Sequence, residues 1–336
     1  MSIEQMAGQV MLVGTPLSNI GSIDATIKEY DLGGVFLSGR STASAATLRK
    51  AITKLQSEAP ADMKLFIALD QEGGEVQTLK GSDFPLIPTA QAQGGETAAA
   101  LRAQVDNWSN RLADIGVNLD LAPVADTVPA SLGTKNPPIG AFHRQYGSDP
   151  AKVSADITIV VDAIQSNGVT TTLKHFPGLG RVLVNTDFGE GATDATMTAH
   201  DSYLEPFEAG IKAGSGAVMI ASASYPKLDD DSIATWSKPI VTGLLRDQLG
   251  FKGMIVSDSL AGAAAVSDVP AAQRGVRFIQ AGGDLVLSTT ASTGVKIRNG
   301  IVAEAKKSPA FVAQLRTAVT YDERAKLASG LLTCAP

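Results

Sequence analysis

Asp258 stands directly behind the apolar run Met254-Ile255-Val256-Ser257 and is followed by Ser259. A carboxylate released at the end of a buried strand, with hydroxyls on both sides to hydrogen-bond it, is placed as a carboxylate nucleophile must be. The same placement suits a helix N-cap, and on these residues alone both readings stand. Lys174 and His175 lie inside another apolar stretch, Thr170 to Phe176, and lead into Pro177-Gly178-Leu179-Gly180-Arg181. A Lys and a His in such a strand are costly to bury unless they are hydrogen-bonded or face a polar cavity, so a ligand pocket explains them economically; for His175 a satisfied core imidazole is the alternative. A third cluster, Asp70-Gln71-Glu72-Gly73-Gly74, follows Phe66-Ile67-Ala68-Leu69. Glycine lets backbone approach a bound group and carboxylates accept from hydroxyls, so this is either a ligand-contacting turn or a capped turn opening the next element. Asp120, Asp126 and Arg144 add polar groups around and after the fourth run.

Other chemistries find less support. The three histidines, His143, His175 and His200, have no helical i, i+4 partner, and no His-Glu-x-x-His or paired Cys occurs, so no metal and no cofactor is expected. The Gly-x-Ser-x-Gly elbow of serine hydrolases is missing. Carboxylate chemistry on a neutral ligand remains.

These groups need a frame that gathers strand ends. Short apolar runs recur at Gln9 to Val13, Gly34 to Leu37, Leu65 to Leu69, Leu119 to Val124, Thr170 to Phe176, Ala217 to Ile220, Gly253 to Val256 and Asp284 to Leu287. Amphipathic stretches of helical length lie between most of them: Ser44 to Gln56, Thr97 to Ile115, Pro150 to Ser166, Ser202 to Ala213, Pro239 to Leu249, Ala271 to Ala281 and Gly294 to Lys307. Near-continuous apolar strands mean burial on both faces, and eight strand-helix repeats predict a TIM-type (β/α)8 barrel, an α/β fold. A doubly wound open sheet is the alternative, but the chain has neither a Gly-x-Gly-x-x-Gly after its first strand nor a Gly-x-x-x-x-Gly-Lys-Ser/Thr. Pro309 to Leu332 reads as an extra C-terminal helix on the outside, and no linker divides the chain, so one barrel domain over residues 1–336 is expected. In such a barrel, chemistry sits beyond the carboxyl ends of the strands. The segment from Gly178 to Thr198 is longer than an ordinary βα connection, as lids and catalytic loops are.

Composition bounds the partners. The 336 residues include 28 Lys+Arg against 34 Asp+Glu, a formal charge of −6, with no long run of like charges. Nothing recommends a nucleic-acid or anionic-membrane surface, and a small, neutral or weakly charged ligand fits better. The apolar runs fall well short of the ~20 residues of a transmembrane segment, and no basic stretch followed by an apolar one opens the chain. The lone Cys334 has no Cys or His near it for a disulfide or a shared metal. Cytoplasmic and extracytoplasmic locations, secreted or lipid-anchored, both stay open, as does the oligomeric state.

Taken together, Asp70 to Gly74, Ala122-Pro123-Val124-Ala125-Asp126, Pro138-Ile139-Gly140 to Arg144, Lys174-His175-Phe176-Pro177-Gly178 and Ser257-Asp258 resemble the catalytic barrel of glycoside hydrolase family 3, and within it the bacterial β-N-acetylhexosaminidases. The resemblance runs from about Glu4 to Leu287. It implies a retaining exo-acting β-glycosidase with a small carbohydrate substrate, Asp258 as the nucleophile, and Asp70, Arg144, Lys174 and His175 holding the sugar hydroxyls. The sugar it implies is terminal N-acetylglucosamine, from peptidoglycan or chitin fragments.

The departures are specific. That branch carries Pro-Gly-His-Gly in the loop after the fifth strand and an Asp-x-His pair whose His is the acid/base; here Leu179 takes the first His position and Asn185-Thr186-Asp187 the pair. Ser222 stands where a second family His is found, and Thr78 where an Arg helps bind the sugar. Two readings follow. Either Asp187, or a neighbour such as Glu190, serves as acid/base with a carboxyl whose pKa must rise toward neutrality, or the chain is a weakly active or non-catalytic carbohydrate-binding pseudoenzyme. His200, thirteen residues past Asp187, suits a helix-entry role. A β-glucosidase-like specificity and a phosphorylase, with Arg181 pairing phosphate, are further alternatives.

Overall fold

The computed structural model describes residues 1–333, and Cys334 lies outside the described residues. Its frame is eight parallel strands: β1 (Met11–Pro16), β2 (Gly34–Ser38), β3 (Phe66–Leu69), β4 (Leu119–Asp120), β5 (Thr170–Phe176), β6 (Ala217–Ile220), β7 (Met254–Ser257) and β8 (Val286–Ser288). Each pairs with its successor from β1 to β7, and β8 pairs back onto β1, with Met11, Leu12 and Val13 opposite Val286, Leu287 and Ser288. The last seam, between β7 and β8, closes partly through side chains. Ser257 N–H donates to Leu285 O at 3.0 Å, Leu287 N–H donates to Ser257 Oγ at 2.9 Å, and the Asp284 carboxylate accepts the Ile255 N–H at 2.7 Å. The expected barrel is therefore present.

Strand pleating divides the apolar residues into two cores. Leu12, Phe36, Phe66, Ala68, Leu119, Leu121, Ala217, Met219, Met254, Val256, Leu285 and Leu287 fill the barrel interior. Their neighbours Val13, Val35, Leu37, Ile67, Leu69, Val218, Ile220, Ile255 and Val286 point outward under the helices. Burial on both faces is why the strands read as continuous apolar runs. Of the surrounding helices, five start on side-chain caps: α1 (Ile3–Gln9) behind a Ser2–Gln5 capping box, α3 (Ala45–Glu58) behind Ser44, α4 (Ala98–Asp114) behind Thr97, α5 (Pro150–Ser166) behind Asp149 and α9 (Pro309–Ala328) behind Ser308, whereas α2 (Asp24–Tyr30), α6 (Glu205–Lys212), α7 (Ala271–Ala281) and α8 (Ala291–Ala305) start without one. Phe176 of β5 meets Phe207 of α6 edge to face at 5.3 Å, which ties the central strand to its helix.

Several boundaries differ from the sequence expectation. β1 starts two residues late because the capped helix α1 runs to Gln9. The run Leu119 to Val124 keeps only a two-residue ladder, since Pro123 has no N–H to donate; Thr172 and Lys174 N–H groups still reach the carbonyls of Ala122 and Pro123. The stretch Ser202 to Ala213 opens with a 3-10 turn, Ser202–Leu204, before α6, and Pro239–Gln248 is wound as a π-helix. The expected C-terminal helix is present as α9, ending at Ala328 rather than Leu332. The last turn of α9 and the segment after it together close the amino end of the barrel: Ala325 and Leu331 pack on the interior core, Lys326 Nζ donates to Gln9 Oε1 at 2.7 Å, and Lys64 N–H donates to Leu331 O at 2.7 Å.

Candidate active site

At the opposite, carboxyl end of the barrel the strands open into a cavity of about 240 Å³. That is small beside the ~300–1,000 Å³ of typical ligand pockets and suits a ligand of one ring rather than an extended chain. Phe36, Leu121, Met219 and Leu287, members of the interior core, form its floor. All six residues singled out from the sequence, Asp70, Arg144, Lys174, His175, Asp187 and Asp258, line its walls. They come from five different loops or strands.

The Asp70 corner is a hairpin, Gln71–Gly73 against Val76–Gln77, turned by Gly73 and Gly74 at φ of +101° and +57°. Pleating sends Asp70 and Glu72 toward the cavity, while Gln71 turns inward and exchanges hydrogen bonds with the Leu79 backbone at 3.0 and 3.1 Å. Lys174 Nζ then lies 2.7 Å from Asp70 Oδ1 and 2.5 Å from Glu72 Oε1. Arg144 grips the same Glu72 carboxylate with two parallel bonds of 2.8 Å and donates to Pro138 O at 2.9 Å. Burial works against the Glu72 charge, but Arg144 and Lys174 overcome it and hold the carboxyl down at about 2. Burial likewise opposes the Lys174 and Arg144 charges, and the carboxylates of Asp70 and Glu72 more than restore them. Glu72 is thus the hub of the corner. The sequence reading placed it in the polar cluster without giving it a role.

A regular pleat would send only one of Lys174 and His175 inward. The ladder between β5 and β6 is irregular between Leu173 and Phe176, and both side chains line the cavity. Asp126 sets the imidazole: its Oδ2 lies 2.7 Å from His175 Nδ1 and accepts the His175 backbone N–H at 3.2 Å, while Nε2 lies 3.4 Å from Arg144 Nη2. The two alternatives for His175 merge here. It is a hydrogen-bonded, buried imidazole that also walls the cavity.

The segment Gly178 to Thr198 is pinned at several points. Asp126 Oδ1 accepts the Leu179 N–H at 2.6 Å, Asn136 Nδ2 donates to the carbonyls of Leu179 and Val182, and Tyr225 donates to Gly178 O at 2.8 Å. Close packing requires Gly180, where an added Cβ would sit 1.7 Å from Thr127 O. Further along, Ala264 and Ala265 N–H groups donate to Asp187 O and Thr186 O at 3.2 and 3.1 Å. The segment that carries Asp187 is thereby stapled to the segment that follows Asp258.

Asp258 is held at the end of β7 by its N–H to Ile220 O at 3.2 Å, and its Oδ1 accepts the Ser259 N–H at 2.7 Å. No α-helix starts behind it, and the next helical turn, Ala264–Val266, begins six residues later. The N-cap alternative is therefore removed. Asp187 stands on the exposed rim with its inner side crowded by protein; that burial, with the negative charge of Asp258, raises its carboxyl above the usual value of 3.8 despite the opposing pull of His175 and Arg144.

Other residues fall outside this group. Asp120 is fully buried and lines no part of the cavity; it accepts the Gln71 N–H at 3.1 Å, its Oδ2 has no partner, and burial pushes it up to about 8. Glu190 and His200 are exposed and line no part of the cavity. Arg181 is bonded to Asp194 and Asp201 and lies over the Tyr203 ring at 4.2 Å, away from the cavity. Thr78 and Ser222 are buried; Ser222 bonds Thr235 at 3.1 Å. Leu179 supplies an apolar wall.

Comparison with known proteins agrees with this architecture. The glycosyl hydrolase family 3 N terminal domain matches residues 2–320. A beta-hexosaminidase of Xanthomonas oryzae pv. oryzae is 32% identical over 286 residues, covering 83% of each chain. One of Stenotrophomonas maltophilia is 34% identical over 292 residues, covering 83% of this chain and 82% of its own. The crystal structure of a beta-N-acetylhexosaminidase from Beutenbergia cavernae superposes with a TM-score of 0.91 at 39% identity, over 98% of this chain and 99% of that one. From barrel, site and relatives together, the chain belongs to glycosyl hydrolase family 3.

Proposed function

We propose that the protein is a retaining exo-β-N-acetylglucosaminidase that removes terminal N-acetylglucosamine from peptidoglycan or chitin fragments. The observation that carries this reading is the placing of two carboxyl groups, Asp258 and Asp187, in one small cavity walled by Asp70, Glu72, Arg144, Lys174 and His175. A retaining glycosidase needs two carboxyl groups at one sugar, one to attack and one to donate a proton, and burial together with the charge of Asp258 raises Asp187 toward the second role.

In the first step an Asp258 carboxylate oxygen attacks the anomeric carbon, the bond from that carbon to the glycosidic oxygen breaks, and the Asp187 carboxyl gives its proton to the departing oxygen. In the second, water attacks the same carbon and gives a proton back to Asp187 as the bond to Asp258 breaks. The Asp258 oxygen that Ser259 does not hold is the one left to react. Asp70 and His175 accept from or donate to ring hydroxyls, while Arg144 and Lys174, fixed by Glu72, orient the sugar and cost nothing to reorganise in the transition state. The phosphorylase alternative loses its cation, since Arg181 is bound by two carboxylates elsewhere.

A fluorogenic panel of β-N-acetylglucosaminide, β-glucoside, β-xyloside and β-galactoside, with Asp258→Asn beside it, tests the proposal. Hydrolysis of the first that vanishes in the variant is expected. Silence across the panel from a folded protein that still binds N-acetylglucosamine would replace the enzyme with a sugar-binding protein.

A further inference from the structure

The segment Pro85-Leu86-Ile87-Pro88 holds its backbone against the protein and leaves apolar side chains outside. Gln77 Nε2 donates to Pro85 O at 3.0 Å, Gln77 Oε1 accepts the Ile87 N–H at 2.9 Å, Ile87 O accepts the Gly74 N–H at 2.9 Å, and Gln93 Nε2 donates to Pro88 O at 2.8 Å. Pro85 and Pro88 have no N–H, so most of what the segment can bond with is committed to the hairpin of the Asp70 corner and to Gln93. Pro85, Leu86 and Pro88 are exposed, Leu86 at 74%.

This segment forms one wall of a groove of about 460 Å³, larger than the cavity at the strand ends. The other wall is Ala103, Gln104, Asn107 and Trp108, neighbours at i, i+1, i+4 and i+5 on one face of α4. Arg111 of the same helix donates to Asp83 O at 2.9 Å and ties the walls together. Trp108 is 8% exposed, and its buried indole N–H has no hydrogen-bond partner among the described residues. Gln104 Nε2 is fixed on the Glu96 carboxylate at 2.6 and 2.7 Å, whereas its buried Oε1 has no partner either. A donor and an acceptor are thus left unpaired one helical turn apart, on two side chains that line a largely apolar groove. Buried polar atoms are almost always paired in a folded protein, so this pair calls for a partner.

The two atoms define the chemistry of that partner. An indole N–H can only donate and an amide oxygen can only accept, so the ligand must bring an acceptor and a donor side by side. A single secondary amide brings both, and an acetyl methyl beside it meets the apolar side chains of Pro85, Leu86 and Pro88. A peptide strand would need a row of backbone partners, and the segment wall has its own turned inward. We propose that the groove is a second, non-catalytic sugar site, which holds the acetamido group of an N-acetylhexosamine between Trp108 Nε1 and Gln104 Oε1. It lies outside the catalytic cavity and does not depend on turnover.

The chain has two tryptophans, Trp108 and Trp236, so isotope-labelled protein gives two indole N–H signals in a magnetic resonance spectrum, and Trp236→Phe assigns them. Titration with N-acetylglucosamine should move the Trp108 signal downfield as its N–H gains an acceptor, and glucose at the same concentrations should leave it in place. Gln104→Met, which removes the acceptor, and Leu86→Ser, which thins the apolar wall at an exposed position and should keep the wild-type Tm, should each weaken the titration about fivefold. In both variants kcat/KM on an aryl β-N-acetylglucosaminide should stay at the wild-type level. No movement with N-acetylglucosamine, an equal movement with glucose, movement only with the peptide mimic N-acetylalanine methylamide, or a titration that either folded variant leaves unchanged overturns the proposal. If the protein hydrolyses no glycoside, the function proposed above has failed, and the Trp108 titration still decides this one.

Discussion

Replacing Glu72 by Gln keeps the shape of the side chain but removes the charge that Arg144 and Lys174 share at 2.8 and 2.5 Å. The depression of the Glu72 carboxyl from 4.5 to about 2 corresponds to roughly 3 kcal/mol of differential interaction, within the ~3–5 kcal/mol found when one partner of a buried pair is removed. The sign with pH follows from linkage. A carboxyl depressed by folding contributes stability that is complete above its unfolded value of 4.5 and is lost as pH falls toward about 2. Urea unfolding of wild type and Glu72→Gln at pH 7 should therefore differ by about 3 kcal/mol, and the gap should narrow by about 1 kcal/mol by pH 3.5. Activity should fall further than stability alone explains, by roughly 100-fold in kcat/KM, since the released Lys174 and Arg144 no longer hold the sugar in register. A gap below about 1 kcal/mol at pH 7, or one that does not change with pH, would refute the assignment of Glu72 as hub.

Three further expectations follow from the same geometry. Asp120 has the opposite linkage: burial raises it from 3.8 to about 8, so the folded state binds more protons than the unfolded one across that window and wild-type stability falls as pH rises through it. Asp120→Asn should gain on wild type between pH 4 and pH 8 in denaturant titrations, and parallel curves would count against it. Asp187→Ala should slow substrates with poor leaving groups far more than activated aryl glycosides, and the basic limb of the wild-type kcat/KM profile should lie above the usual carboxylate range because burial and Asp258 raise Asp187; equal losses on both substrate types would remove it as the acid. Gly180→Ala places a Cβ against Thr127 O and should lower stability by about 1–3 kcal/mol in thermal melts, together with a loss of kcat; a neutral outcome would show that the Gly178 to Thr198 segment is not packed as described.

Much of the frame was legible because parallel strands buried on two faces leave continuous apolar runs, and because Ser44, Thr97 and Pro150 mark helix starts by local hydrogen bonding. Pro123 was the exception: it shortened a ladder that apolar character alone extended. The ends of the strands named Asp70, Lys174, His175 and Asp258 by position. Glu72 escaped assignment because its partners lie 72 and 102 residues away in the chain, and no local pattern records a pair at that distance. The same holds for Asn136 and Asp126, which pin the Gly178 to Thr198 segment from another loop. Pro309 to Leu332 reads as an outer helix, and only the closed barrel reveals that Ala325 and Leu331 also plug its amino end.

The central claim is that Asp258 forms a bond to the sugar. Incubation with a fluorinated N-acetylglucosaminyl donor that slows the second step, followed by rapid quenching, proteolysis and mass spectrometry, tests it directly. The account predicts one added glycosyl group on the peptide containing Asp258, absent from Asp258→Asn. A label on Asp187 or any other residue, or turnover with no covalent adduct in the wild type, would contradict it.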